Sequence, residues 1–233
     1  MSTPSPRYIF PPTPPPALPI AGSDALFPVR RIYCVGRNYA DHAREMGHDP
    51  EREPPFFFQK NPDNLVTDGV FDYPPLSTDT QFEVELVVAL GGGGRDIPAA
   101  AAEALILGYA VGLDMTRRDL QAIAKKAARP WEAAKAFEGS APCGPIVPAA
   151  ALPGPLRAGA ITLTQNGVLR QRGDLADLIW SVPETIAELS RLFELAAGDL
   201  VFTGTPAGVG PVARGDHLSA EIAGLGALAV VVR

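Results

Sequence analysis

The stretch TDTQFEVELVVALGG, Thr78 to Gly92, restricts this chain more than any other part of it. From Phe82 it alternates as a strand does, then runs apolar through Val87, Val88, Ala89 and Leu90. Strand side chains point to opposite faces with period two, so Glu83 and Glu85 share a face with Val87 and Ala89. That puts two carboxylates side by side at the mouth of a core strand. They repel each other and are costly to desolvate, so a fold that uses this strand must compensate them.

A core strand needs a core. With 233 residues, 46% hydrophobic and 20% charged, and a mean hydropathy of +0.08, the chain can bury one of sizeable extent. A net charge of −6 argues against a general nucleic-acid binder, which carries a basic excess. Arg30-Arg31, Arg117-Arg118 and Lys125-Lys126 are short basic clusters that read as solvated surface. Cys34 and Cys143 form neither a disulfide framework nor a zinc ligand set and read as reduced thiols. No basic segment leads into an apolar run near the N-terminus, and Ala104 to Leu113 is too short to span a bilayer. The expectation is a cytoplasmic protein without membrane or nucleic-acid partners.

Residues 1–28 are proline-rich, which favours extended conformations and predicts an arm laid over the domain formed by 29–233. RRIYCVG then reads as a strand and NYADHAREMG as a helix beginning near Asn38, a good N-cap. PPFFFQK is another strand, with its prolines at the entry. Gly91 to Gly94 lacks the Lys-Ser/Thr of a phosphate loop and reads as a flexible turn. Ala99 to Leu105 predicts a helix, ILGYAVGLDM a strand, and Thr116 to Asp119 a capping box opening the next helix. ITLTQ-NG-VLRQ predicts a type I′ hairpin. VPETIAELSRLFELAAGD predicts an amphipathic helix with Gly198 as its terminator. LVFTGTPAGVGP and ALAVVVR supply further strands. Several strands joined by short turns indicate a β-rich α+β fold.

Three groups of residues offer chemistry. Glu83, Glu85 and Asp114, the last at a strand end, offer oxygen ligands only, which suit Mg²⁺, Mn²⁺ or Ca²⁺ rather than zinc; an E-x-E on a strand also occurs as a solvent-facing pair. His42 and Glu45, three apart on a helix, share a face, and a carboxylate beside imidazole fixes its tautomer for general-base work. Asp41 and Arg44 offer equivalent pairings there. The loop TGTPAGVGP exposes backbone N–H groups and threonine hydroxyls able to hold a carboxylate. His48 and His217 lack a partner and read as surface. Lys135 and Gln121 are unremarkable alone.

The order VGRNYADHAREMG, FEVELVVALGG, GLDMTRRDLQ, RPWEAAKAFEGSAP, TGTPAGVGP resembles the fumarylacetoacetate hydrolase family from about Val29 to the C-terminus. Within it, RRIYCVGRNYADHAREMGHDPEREPPFFFQKNPDNL is similar to the fumarylpyruvate hydrolases of gentisate breakdown. The resemblance implies a mixed β-sheet roll with peripheral helices, an active site at its mouth, and a homodimer. It implies Mg²⁺ or Mn²⁺ on Glu83, Glu85 and Asp114, and a water-activating dyad of His42 and Glu45 on a segment ordered over substrate. It implies that Arg118, Gln121 and Lys135 orient the substrate or its leaving group and that Thr205 meets a pyruvate carboxylate. One departure is Phe82, where relatives often carry histidine.

The implied reaction cleaves a C–C bond of a 2,4-diketo acid. Glu45, through or with His42, deprotonates water, which attacks the distal carbonyl; the cation and Lys135 stabilise the pyruvate enolate that leaves. Fumarylpyruvate would give fumarate and pyruvate. Arg37, Lys60, Arg117 and Arg118 are the cations available for its far carboxylate. The alternatives on the same site are oxaloacetate decarboxylation, acylpyruvate cleavage of a different range, isomerisation of a 2-oxo-diene diacid, or non-catalytic binding of an oxo acid.

Overall fold

The structure, a computed structural model, describes residues 7–47 and 53–233. The apolar runs become the inner strands of two sheets. A six-stranded mixed sheet has the order Val147–Pro148, Ile106–Leu113, Val84–Leu90, Asp199–Phe202, Arg31–Gly36, Phe56–Lys60. Only the Asp199–Phe202 and Arg31–Gly36 pair is parallel. A five-stranded sheet runs Val168–Asp174, Ala160–Gln165, His217–Ile222, Gly226–Val232, Val70–Phe71. The fold is therefore the strand-rich α+β type expected.

Period two on the Val84–Leu90 strand sorts its side chains into two cores. Val84, Leu86, Val88 and Leu90 join the larger cluster, which also holds Ile161, Leu163, Ala220 and Ile222 of the five-stranded sheet. Val87 and Ala89 face the other way, into a second cluster with Ile32, Cys34, Leu200 and Phe202. A strand buried on both faces explains the unbroken apolar run. The second cluster is sealed from outside by the proline-rich arm. Its Ala17–Pro19 segment pairs with Leu26–Pro28, and Leu18 and Phe27 are buried in that cluster. Residues 17–28 are thus part of the packing.

The hairpin forms as its sequence requires, with Asn166 at φ 54° and Gly167 at φ 77° between paired strands. Both cysteines are buried and free; burial pushes the Cys143 thiol up to about 12. Four local expectations are corrected. The first helix is Ala40–Glu45 with Tyr39 at its N-cap, because Asn38 spends its side chain elsewhere. Its Nδ2 donates to Thr203 O (2.8 Å) and Trp180 O (2.9 Å), and its Oδ1 accepts from Trp180 N. The helix Arg118–Lys126 starts after Arg117. Thr116 is in a short strand and bonds back to Asp114 O, while Asp119 binds Ser77 and Thr78. The amphipathic helix ends at Leu192, and Gly198 instead turns the chain into the next strand at φ 96°. The glycine run is pinned, since Gly94 exchanges two backbone hydrogen bonds with Leu195.

Among the described residues, no helix is long and apolar enough to cross a membrane.

Candidate active site

Glu83 lies between the Thr80–Phe82 and Val84–Leu90 strands, and Glu85 is the second residue of the latter. The neighbouring strand Ile106–Leu113 pairs antiparallel, with Val84 opposite Leu113. The next residue, Asp114, donates its N–H to Glu83 O at 2.8 Å. Register alone therefore brings Asp114 to the E-x-E. The three carboxylates have oxygens within 4.8 Å of one another and belong to residues that are 4%, 2% and 0% exposed. Phe82 is in the larger apolar cluster on the opposite side, so a histidine is not needed there to complete the acidic group.

Three cations surround the carboxylates. Lys135 Nζ bridges Glu83 Oε2 and Asp114 Oδ2, at 2.7 Å to each. Arg118 pairs with Glu83 Oε1. Lys60 Nζ is 2.8 Å from Asp114 Oδ1 and donates to the carbonyls of Met115 and Lys135. Burial raises the Glu83 pKa, but Lys135, Arg118 and His42 together overcome it and hold the group well below the usual carboxylate range. Glu85 behaves oppositely. Burial first, then Asp114 and Glu83, push it well up, and only Lys135 and the Gly204 N–H (2.8 Å) counter this.

The donor set fits a hard divalent cation. It is all oxygen, buried and convergent. Among the described residues, Asp114 Oδ1 accepts no aligned hydrogen bond despite the nearby Lys60, and Glu85 makes no ion pair. Both features are what a carboxylate cluster shows when one more positive charge belongs beside it. Lys135 meanwhile supplies that charge to the other two.

The His42–Glu45 pair faces this cluster from the short helix. His42 Nδ1 lies 3.0 Å from Glu45 Oε2, and Glu45 Oε1 accepts from Gly208 N at 3.0 Å. Glu45 is thereby fixed at both oxygens, and Nε2 is the imidazole nitrogen left for other partners. A cavity of about 220 Å³ joins the parts. It is lined by Arg37, His42, Glu83, Glu85, Asp114, Arg118, Gln121, Lys135 and Thr205, and of the predicted residues Glu45, Lys60 and Arg117 are not in its wall. Gln121 is buried and accepts from Arg118 Nη1 at 2.8 Å. Thr205 Oγ1 accepts from Gln171 Nε2 at 2.8 Å.

Two of the four expected far-carboxylate cations are excluded. Lys60 is buried and committed to Asp114 and two carbonyls. Arg117 stacks on Phe137 with its Cζ 4.3 Å from the ring centroid and donates to Ala133 O. His217 is exposed as expected; His48 lies outside the described residues. Sequence reasoning missed Gln171 and Asn38, which fix the glycine loop. Gln171 accepts from Val84 N and donates to Pro206 O and Thr205 Oγ1. Asn38 holds Thr203 O, and the Gly204 backbone at φ 99° approaches so closely that a Cβ there would sit 2.7 Å from Asn38 Cβ. Gln171 carries a weak signal in sequence, an inward position on a strand. Asn38 gave a misleading one, because it suits an N-cap. Phe56, Phe58, Lys125 and Trp131 also line the cavity.

The strand-rich fold thus carries a buried acidic triad able to hold a divalent cation, beside a carboxylate-held imidazole. Residues 31–233 match the model for the fumarylacetoacetate (FAA) hydrolase C-terminal domain, and the chain belongs to that family. A crystal structure of fumarylpyruvate hydrolase from Pseudomonas aeruginosa in complex with Mn²⁺ and pyruvate is 55% identical with a TM-score of 0.94, covering 97% of this chain and 99% of that one. A fumarylpyruvate hydrolase of Ralstonia sp is 42% identical over 185 residues, 79% of this chain and 95% of the relative. An oxaloacetate tautomerase of Escherichia coli (strain K12) is 41% identical over 203 residues, 85% and 90% respectively. The family is enzymatic and includes hydrolases, tautomerases and isomerases. Tautomerisation was not among the reactions that the sequence suggested.

Proposed function

We propose that this protein is a metal-dependent hydrolase of 2,4-diketo acids that splits fumarylpyruvate into fumarate and pyruvate, in the breakdown of aromatic compounds by way of gentisate. The observation that carries the reading is the imidazole of His42, clamped by a carboxylate that is itself clamped by Gly208 N–H, in the wall of a cavity floored by three carboxylates. Glu45 on Nδ1 favours the tautomer in which Nε2 is a free base. His42 Nε2 takes a proton from water, and the hydroxide adds to the carbonyl at C4. The C3–C4 bond breaks, the electron pair stays on C3, and fumarate leaves. The proton on His42 then returns to C3, giving pyruvate. Lys135 places positive charge beside the developing enolate. Thr205 and the loop N–H groups orient the pyruvyl carboxylate, and Gln121 and Arg118 hold the opposite side. A Mn²⁺ or Mg²⁺ held by Glu83, Glu85 and Asp114 would supply Lewis-acid stabilisation of that charge. The Mn²⁺ and pyruvate named for the Pseudomonas aeruginosa enzyme agree with this reading. It includes a homodimer in the cytoplasm.

A second reading, tautomerisation of oxaloacetate, is favoured by the Escherichia coli relative. The same base would shuttle a proton between carbon and oxygen with no water consumed. A panel of fumarylpyruvate, maleylpyruvate, acetylpyruvate and oxaloacetate with and without Mn²⁺ or Mg²⁺ separates them. Fumarylpyruvate should give the highest kcat/KM, and Glu45→Gln should lower it by about 10²–10⁴-fold. Rapid keto–enol exchange of oxaloacetate with no cleavage of any acylpyruvate would replace the hydrolase reading by the tautomerase one.

A further inference from the structure

We propose that Arg37 and Lys125 together form the subsite for the far carboxylate of the substrate, and that Phe56, Trp131 and Phe58 form a wall for a flat conjugated linker. This deepens the hydrolase reading and rests on it for the identity of the pyruvyl end. Arg37 has φ 56°, a left-handed conformation that is unfavourable for a non-glycine residue. The surroundings enforce it. The preceding Gly36 is paired with Phe56 across the sheet, where any Cβ would strike the Phe56 ring, and Asn38 is anchored by three hydrogen bonds. The guanidinium carbon of Arg37 lies 4.9 Å from the Phe56 centroid.

Lys125, in the last turn of the Arg118–Lys126 helix, reaches the same cavity with Nζ 5.1 Å from the Trp131 centroid. Neither cation has a carboxylate partner among the described residues. An aromatic face attracts a cation but does not neutralise it. Burial, then Arg118, with Lys135 and Arg37 adding to them, lowers the Lys125 pKa by more than the more distant Glu83 raises it. The aromatic wall is continuous: Phe56 meets Trp131 edge-on at 5.6 Å, and Trp131 meets Phe58 at 5.9 Å. At its inner end Lys135 Nζ is 4.9 Å from the Phe58 centroid while holding Glu83 and Asp114. The wall thus runs from the acidic triad to two positive charges that no described carboxylate pairs with. A planar diacid held at its pyruvyl end by Thr205 and the loop places its far carboxylate on the two outer cations; a ligand ending in a methyl group leaves them unpaired.

The test compares kcat/KM for fumarylpyruvate and acetylpyruvate in the Mn²⁺-loaded wild type, Lys125→Met and Arg37→Met. The fumarylpyruvate-to-acetylpyruvate ratio should fall about tenfold in each single variant and up to about a hundredfold in the double one, mainly through KM, as loss of hydrogen bonds to a charged group predicts. An unchanged ratio overturns the proposal. Calorimetric titration with fumarate is read independently of turnover, with binding about tenfold weaker expected in Lys125→Met. If the wild type cleaves no acylpyruvate, the hydrolase reading falls and the titration alone decides the subsite. Equal fumarate binding by wild type and variant, or none by the wild type, overturns it.

Discussion

The two ends of the cavity are built on opposite electrostatic plans. At the inner end, Glu83 and Asp114 are buried against Lys60, Arg118 and Lys135, and nearly every charge touches one of opposite sign. At the outer end, Arg37 and Lys125 rest on aromatic faces and make no ion pair with a carboxylate among the described residues. The inner end is held by the fold whether or not a ligand is present, and its one undersupplied member, Glu85, marks where further positive charge belongs. The outer end is incomplete until an anion arrives. Preorganised charge suits chemistry, because dipoles already in place need no rearrangement during the reaction. Unpaired charge suits recognition, because the partner contributes the missing sign.

The contrast breaks most sharply at Glu83. Glu83→Ala leaves Lys135 and Arg118 without their shared carboxylate. Removing one partner of a buried pair costs about 3–5 kcal/mol, to be read as a lower urea midpoint. The same change should abolish Mn²⁺ binding by calorimetry and turnover with it. Retained metal binding would remove Glu83 from the cation site.

A smaller effect is expected from pH. Glu85 has a raised pKa in the folded chain, whereas unfolded glutamate titrates near 4.3. Between those values the folded state binds the extra proton, so metal-free stability should fall as pH rises through that window. Glu83, with its lowered pKa, acts in the other direction, and its contribution is complete once pH exceeds the unfolded value. Mn²⁺ would take the place of the proton on Glu85 and flatten the slope above pH 5. Urea midpoints from pH 5 to 8 in chelator and in Mn²⁺ measure the difference, which separates Glu85 from Asp199, whose pKa burial also raises. Parallel slopes would mean that Glu85 does not meet the cation.

The inner end was the more legible in sequence, for a physical reason. Period two fixes the face shared by Glu83, Glu85, Val87 and Ala89 without knowledge of any other strand, and helical spacing does the same for His42 and Glu45. Asp114 needed only the position of a strand end. The motif order then supplied Lys135, Gln121, Arg118 and Thr205, which local pattern left among ordinary polar residues. Long-range partnerships stayed hidden. Nothing local says that Asn38 ties Thr203 to Trp180, so it passed for a helix cap; nothing local removes Lys60 from the cavity by burying it against Asp114. Lys125 is exposed, as a surface reading had it, but its place against Trp131 at the cavity edge stayed hidden because Trp131 comes from another segment.

The smallest expected effect belongs to the outer end, and its sign matters more than its size. Lys125→Met removes a charge that faces Arg118, Lys135 and Arg37 and that Glu83 offsets only in part. The exposed part of the side chain screens this repulsion, and methionine keeps the apolar contact with Trp131. The variant should therefore unfold at the wild-type urea concentration or slightly above it, within about 0.5 kcal/mol, while binding fumarate less well. Loss of ligand affinity without loss of stability is what a charge reserved for substrate produces. A destabilisation beyond about 1 kcal/mol would instead make the stacking of Lys125 on Trp131 part of the framework, and the outer end would resemble the inner one.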